Sequence, residues 1–458
     1  MIGRVAAFCR EHGLVHDGDL VLAACSGGPD SLTLLDVLAR CRERLHIEVA
    51  VAYINHGIRA AAFDEERRVQ QAAAARGCPC YIRRTAVPAL ARRRKQSLET
   101  AAREERYRLL RDVQRQIRAQ SIAVAHHQND QAETVLWHLV RGSGLTGLAG
   151  MRPRREKIIR PFLCVTRAEI TDYAARRHLH PCHDETNDEL HCTRNKLRLQ
   201  YLPFLAQLNP AIIADLNRLA AVVQAEDDVL RQQTEEAYRR TAQVRAEGIV
   251  LSKTRLAEQP TALQRRLIRR AYEALTGHMT GLSLEQVETV RHLLDKEPGK
   301  RFAMRSFYVQ RTYEALVCTA RPPVSRTAEI AAALPFGTPQ VYRLGAWRLQ
   351  LQVTTKPVKP APNQWLIDYD RLSPDTVLRC RRPGDRWLGK DHTTALKKIF
   401  TAQHLMPAQR ATLPLLCQGN LVVWLAGRGA CPTLAVQAET KRIGIITLLG
   451  GTEYASGY

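Results

Sequence analysis

Apolar positions change their spacing at Cys25. "LVLAAC" (20–25) is a continuous apolar run, short enough for a buried strand, whereas from Pro29 onward apolar residues recur three and four positions apart, which predicts a helix. Between the two lies "SGGPDS" (26–31). Three more runs, "HIEVAVAYIN" (46–55), "YIRRTA" (81–86) and "SIAVAH" (121–126), read as buried strands with helical patterns filling the gaps. Strand and helix alternate. That order predicts an α/β fold with a doubly wound, mostly parallel sheet, whose ligand sits at the carboxyl ends of the strands, where the glycine bend lies.

From about Pro210 the pattern turns helical, in "IIADLNRLAAVVQAEDDVL", "ALQRRLIRRAYEAL" and "SLEQVETVRHLL", with a hairpin expected at 301–318. Pro, Ser and Gly then crowd 319–340 at linker density, and short alternating strands follow around "WRLQLQV" and "LVVWLAGR". The expected organisation is an α/β domain over 1–210, a mainly helical middle domain over 211–320 and a small α+β C-terminal domain over 340–458.

Composition sharpens the choice of partner. Sixty-eight Lys and Arg against forty-five Asp and Glu give a net charge of +23, which favours a polyanion such as nucleic acid. No window reaches the ~20 apolar residues of a membrane span, and Arg4, Arg10 and Glu11 stand where a signal peptide needs an apolar core, so a cytoplasmic protein with no membrane partner is expected. The twelve cysteines contain no CxxC pair and read as reduced core thiols. His178, His180, Cys182, His183 and Asp184 crowd together in "RHLHPCHDETND", but their spacing fits no common zinc pattern, and an ordered polar loop is expected there.

The bend itself has the chemistry of an anion cradle. Gly27 and Gly28 can turn their amides around an oxyanion at the positive end of the following helix, with Pro29 in its first turn and Ser26 and Ser31 adding hydroxyls. Asp30 would repel a bare phosphate unless a cation such as magnesium lay between them, so the stretch points to phosphate plus metal. GxxxxGK[ST] is absent, and the GxGxxG string "GSGLTG" (142–147) follows a helical pattern, where it reads as a helix terminator. In "AHHQNDQAETVLWHL" (125–139), Asp130 and Glu133 fall on one helical face, able to hold a metal or an amine, or to serve as a cap and its reciprocal partner. Residues 83–118, around "SLETAAREERYRLL", carry twelve Lys or Arg against four Asp or Glu, a run that usually marks a solvated face.

"SGGPDS" resembles the SGGxDS loop of the ATP pyrophosphatase (PP-loop) superfamily, whose fold is adenine nucleotide α-hydrolase-like. "NHGIR" (55–59), "ETAAREERY" (99–107), "HHQNDQAETVL" (126–136), "RGSGLTGLAGM" (141–151), "DETND" (184–188) and "RNKLR" (194–198) together resemble the tRNA(Ile)-lysidine synthetase family. The likeness is dense over the first 210 residues and resumes in "RRPGDRW" and "ALKKIF", which look like the family's appended tRNA-binding domain. It implies a ligase that uses ATP and Mg2+ to adenylate the wobble cytidine of the CAU anticodon of isoleucine tRNA and joins free L-lysine to it, releasing AMP and pyrophosphate. Carried over by motif, Ser26, Gly27, Gly28, Pro29, Asp30 and Ser31 would hold ATP, and Asp30 the metal. Asp130 and Glu133 would take the lysine amine and Arg103 the adenylate charge. His56, Arg59 and Arg194 would contact substrate, and Arg381, Arg382, Arg386, Lys397 and Lys398 the tRNA backbone. Ala62 stands where the family often has a serine, which removes a helix cap and no obvious catalytic group. Ile58, Leu197 and Asn129 are minor departures. A tRNA thiolase of the same superfamily is the closest rival but lacks its paired cysteines here. A non-catalytic RNA-binding protein explains the charge but leaves the motifs unexplained.

Overall fold

The computed structural model describes residues 1–57, 62–181, 193–246, 248–278, 281–321, 332–333, 339–344, 347–405 and 407–450. The chain divides into two compact units, Met1–Arg231 and Gln232–Tyr458.

The first unit opens with α1 (Ile2–Glu11) and then alternates β1 (Leu20–Ala24), α2 (Pro29–Leu45), β2 (Glu48–Asn55), α3 (Ala62–Ala74), β3 (Cys80–Arg84), α4 (Val87–Arg94), α5 (Leu98–Gln116), β4 (Ser121–Ala123) and α6 (Gln128–Val140). Two short strands, β5 (Arg154–Arg155) and β6 (Ile158–Ile159), complete a six-stranded sheet of order β3-β2-β1-β4-β6-β5. All neighbours are parallel except β5 and β6. The strands are apolar on both faces because both are covered. Val5, Cys9, Leu34, Leu38, Cys41, Val69 and Ile170 pack with one face. Leu109, Leu110 and Val113 of α5 pack with Leu22, Ala52 and Ile122 on the other. The expected doubly wound sheet is therefore present.

Within the second unit, the helices at Thr261–Thr276 and Leu284–Arg291 pack against a five-stranded antiparallel sheet. The hairpin expected at 301–318 is a three-strand meander, Arg301–Met304, Phe307–Arg311 and Ala315–Thr319, continued by Gly248–Ser252 and Ala242–Arg245. This middle stretch thus has a sheet as well as the helices that its periodicity announced. Two further sheets share one core around Trp387, Phe400, Trp424 and Ile446. Among the described residues no helix is long and apolar enough to cross a membrane.

Candidate active site

The phosphate loop leaves β1 with its register intact for one more residue, Cys25 donating its amide to Ala52. Gly27 then takes φ +84°, in the left-handed region where a side chain is strained. Gly28 caps α2 with extended backbone and supplies no side-chain cap, and Pro29 occupies the first turn, so the leading amides of a 17-residue helix are left for an anion. Ser31 is buried and turned inward. Its Oγ donates to the Gly28 carbonyl (3.0 Å), accepts from the Ser26 amide (3.1 Å) and lies 3.3 Å from the Ser26 hydroxyl. Its proton is spent on shaping the loop, while Ser26 stays exposed at the rim.

The carboxylates come from α6 and the second residue of α2. His127 caps α6: its Nδ1 accepts from the Asp130 amide (3.4 Å), and Asp130 Oδ2 accepts in return from the His127 amide (3.1 Å). Asp130 is therefore the reciprocal member of the box rather than its cap, and Glu133 takes no part in it. With Nδ1 accepting, the hydrogen-bond pattern assigns the ring proton to Nε2. That atom lies 3.8 Å from Asp30 Oδ2 and 3.6 Å from Asp130 Oδ2, linking the phosphate loop to α6. Arg198 closes the cluster. Its Nε donates to Glu133 Oε1 (2.7 Å), and its Nη2 to Glu133 Oε2 (3.1 Å) and Asp130 Oδ1 (3.2 Å). Burial pushes the Asp30 carboxyl above its ordinary range, with Asp130 adding to the rise and His127, Arg167 and Arg198 opposing it.

A second wall is cationic. His56 follows β2, and its carbonyl accepts from Val87 (3.1 Å) at the start of α4. Gly57 (φ +64°) completes the turn; a Cβ there would stand 2.8 Å from the Thr85 carbonyl. On α5, Arg103 and Arg106 both lie over the Tyr107 ring, at 5.8 and 5.6 Å. Arg160, just past β6, donates to the Arg152 carbonyl (2.7 Å) and to His126 Nδ1 (3.3 Å). Burial lowers the pKa of Arg106 and of Arg160, and Arg103 lowers both further. Burial and Arg106 likewise hold His56 below the usual imidazole range. Among the described residues none of the three arginines has a carboxylate partner; Arg106 and Arg160 are desolvated and Arg103 is exposed beside them, a positive wall suited to phosphate.

The structure thus brings Asp30, Asp130 and Glu133 together and places Arg103 beside Tyr107. Arg59 and the side chain of Arg194 lie outside the described residues, as does the stretch from Cys182 to Asp184. Four residues went unseen in the sequence: His127, Arg198, Arg106 and Arg160. Arg198 belongs to the same "RNKLR" motif as Arg194, and nothing in the motif singles it out as the partner of Asp130 and Glu133.

In the second unit, "RRPGDRW" is built on a buried ion pair. Arg379 donates to Asp385 through Nη1 (2.9 Å) and Nη2 (2.8 Å), with side chains 3% and 2% exposed. Asp385 also accepts from the Arg382 amide (2.7 Å). The turn so formed presents Arg381, 6.0 Å over Phe400, and an exposed Arg382. Arg386 donates to the Thr393 hydroxyl (2.7 Å), and Lys397 and Lys398 are exposed on the helix Leu396–Ala402. Arg428, 5.0 Å over Trp387, extends the basic surface.

Three family matches cover the chain in the same order: a PP-loop domain over residues 4–205, a TilS substrate binding domain over 251–317 and a TilS substrate C-terminal domain over 377–447. The tRNA(Ile)-lysidine synthase of Geobacter sulfurreducens is 33% identical, over 98% of this chain and 97% of its own. Those of Symbiobacterium thermophilum (32%, 93% of each chain) and Caldanaerobacter subterraneus (30%, 97% of each chain) are similarly matched. A glycine-bent phosphate loop, an acidic cluster one histidine away and end-to-end likeness to these relatives converge: the chain belongs to the tRNA(Ile)-lysidine synthase family of ATP-using PP-loop enzymes.

Proposed function

We propose that this enzyme adenylates the wobble cytidine of the CAU anticodon in isoleucine tRNA and then joins free L-lysine to it. The carrying observation is the His127 bridge: Nε2 stands within 3.8 Å of Asp30 in the phosphate loop and 3.6 Å of Asp130 in the acidic cluster, so an adenylate and an amine can be held side by side. In the first half-reaction the cytidine 2-keto oxygen attacks the α-phosphorus of ATP, and the bond to pyrophosphate breaks. In the second, the lysine ε-nitrogen attacks C2, the C2–O bond breaks and AMP leaves. The amine sheds a proton first, and the carboxylates of Asp130 and Glu133 are the bases suited to receive it.

Asp30 fits a magnesium ion. It is a hard oxygen donor, 38% exposed at the loop's mouth, whose burial-raised pKa a divalent cation would bring back down. Held there, magnesium would neutralise charge on the departing pyrophosphate. The loop amides would cradle the same group, and Arg103, Arg106 and Arg160 are the cations suited to the developing negative charge. Sulfur transfer fits less well, since it calls for an acidic thiol and burial pushes Cys80 up to about 11. The basic surface around Arg381, Arg382, Arg386, Lys397, Lys398 and Arg428 is assigned to the tRNA backbone.

The test is pyrophosphate release with ATP, magnesium, lysine and bulk tRNA, each omitted in turn, followed by kinetics of Glu133→Gln and Asp130→Asn. Loss of one carboxylate should raise the lysine KM about tenfold or more, as expected for about 1.4 kcal/mol of lost ion pairing, with a smaller change in the ATP KM. Equal loss for both substrates would assign the pair a metal-binding or structural role instead.

A further inference from the structure

We propose that Arg198 is a built-in competitor for the lysine ammonium, occupying the acidic cluster in the resting enzyme and releasing it when nucleotide arrives. The inference rests on the assignment of Asp130 and Glu133 to lysine. Arg198 reaches both oxygens of Glu133 and one of Asp130 at 2.7–3.2 Å, and these are the atoms a bound ammonium would need. A planar guanidinium held by two prongs and an ammonium acting as a point charge present the same charge to the same oxygens, and cannot both take them at full strength. Glu133 is 1% exposed, so the cation already in place has displaced water that a substrate would otherwise displace.

Two further features make Arg198 movable. Its side chain is 21% exposed, so it has a way out towards solvent. It also sits in a π-helical stretch, Leu197–Tyr201, between the α-helical turns Thr193–Lys196 and Leu202–Leu208, and such wide turns are frequent at functional sites. The charges facing it supply the trigger. In the resting enzyme Arg198 meets Asp130 and Glu133, and Asp30 is faced by His127, Arg167 and Arg198. ATP adds phosphate beside Asp30, and a guanidinium binds phosphate through the same two-pronged geometry. Moving Arg198 towards that charge uncovers the carboxylates for an amine. Lysine would then bind weakly before nucleotide and well after it, which keeps free lysine and other alkylamines from occupying the resting site.

Equilibrium binding of labelled lysine to the full-length enzyme tests this without turnover. Free of nucleotide, Arg198→Gln should bind lysine at least about tenfold more tightly than wild type. Arg198→Lys, which keeps a charge but cannot span both carboxylates, should fall between them. In wild type, a non-hydrolysable ATP analogue with magnesium should tighten lysine binding by a similar factor, and this arm needs no substitution. Unchanged or weaker lysine binding in both variants, or an analogue that leaves wild-type affinity where it was, overturns the proposal. Glu133→Gln keeps the two assignments separable. If it abolishes lysine binding while the Arg198 variants change nothing, the lysine site stands and the competitor role falls; if it too changes nothing, the lysine assignment itself falls.

Discussion

The Ser31 hydroxyl donates to the Gly28 carbonyl across 3.0 Å and accepts from the Ser26 amide at 3.1 Å, so one buried side chain ties both arms of the phosphate loop. With those two bonds made, Gly27 can hold its left-handed turn and the first amides of α2 stay pointed at the mouth of the loop. The loop is organised before ATP arrives.

Ser31→Ala removes both bonds; the Gly28 carbonyl keeps the Leu32 amide (3.0 Å) and Ser26 is exposed, so the loss is that of two ordinary hydrogen bonds, about 1–3 kcal/mol. Part of it should appear as a disordered cradle: the ATP KM is expected to rise about tenfold with the lysine KM little changed. Pyrophosphate-release kinetics with each substrate varied measure both. An ATP KM equal to wild type would show that the loop holds its shape without the hydroxyl.

Asp30 couples function to stability. Because burial raises its pKa above 3.8, the folded enzyme binds that proton more tightly than the unfolded chain does. The sign follows from linkage: stability is fullest below 3.8 and declines as pH climbs through the folded value. Asp30→Asn is close to isosteric and never ionises. It should melt above wild type at neutral pH, with the difference closing as pH falls towards 3.8, while pyrophosphate release is lost. Thermal melts across pH and the release assay check the two halves. A variant that melts lower than wild type at neutral pH would mean that the Asp30 charge stabilises the fold, contrary to its direction of shift.

The features legible in the sequence are those encoded by neighbouring residues. β1, the glycine bend and α2 were readable because an apolar run, two glycines, a proline and a helical period lie within one continuous stretch. Asp130 and Glu133 were readable as a pair on one face for the same reason. Their partners were not. Arg198 lies 65 residues beyond Glu133 and reaches it only through the packing of Leu197 and Leu202 against Ala132 and Leu136. The cap of α6 was misassigned because an imidazole nitrogen does the accepting, in a position where Ser, Thr, Asp and Asn are the usual signal. In the middle stretch, the strand Ala242–Arg245 is mostly exposed and follows a 30-residue helix without a breaker, so no period of two announces it.

On the basic surface of the second unit, shape and charge are separable. Residues 379–410 hold eight Lys or Arg against two Asp, but Arg379 is buried in its pair with Asp385 and is unavailable to a ligand. Of the remaining seven, Arg410 donates to the Leu405 carbonyl and the Thr401 hydroxyl, and the candidates to meet phosphate are Arg381, Arg382, Arg386, Lys397 and Lys398, with exposed Lys390 beside them and Arg428 added by the fold. Each lost phosphate contact should lower the salt slope of tRNA binding by about one and weaken affinity without touching the chemistry. Lys397→Ala combined with Lys398→Ala should therefore raise the tRNA KM and flatten the salt dependence by up to about two, with turnover at saturating tRNA near wild type. Asp385→Asn acts differently. It leaves the Arg379 guanidinium buried without its counter-charge, which costs about 3–5 kcal/mol, and it loosens the turn that presents Arg381 and Arg382. It should lose stability and tRNA affinity together, whereas the lysine pair loses affinity alone. Deleting everything after about residue 340 would cut inside the 232–458 unit, so point substitutions are the cleaner probe. Filter binding across a salt series and chemical denaturation of each variant supply the readouts. A double lysine variant with wild-type affinity and salt slope would leave this surface idle and move tRNA recognition to the arginines of α4 and α5.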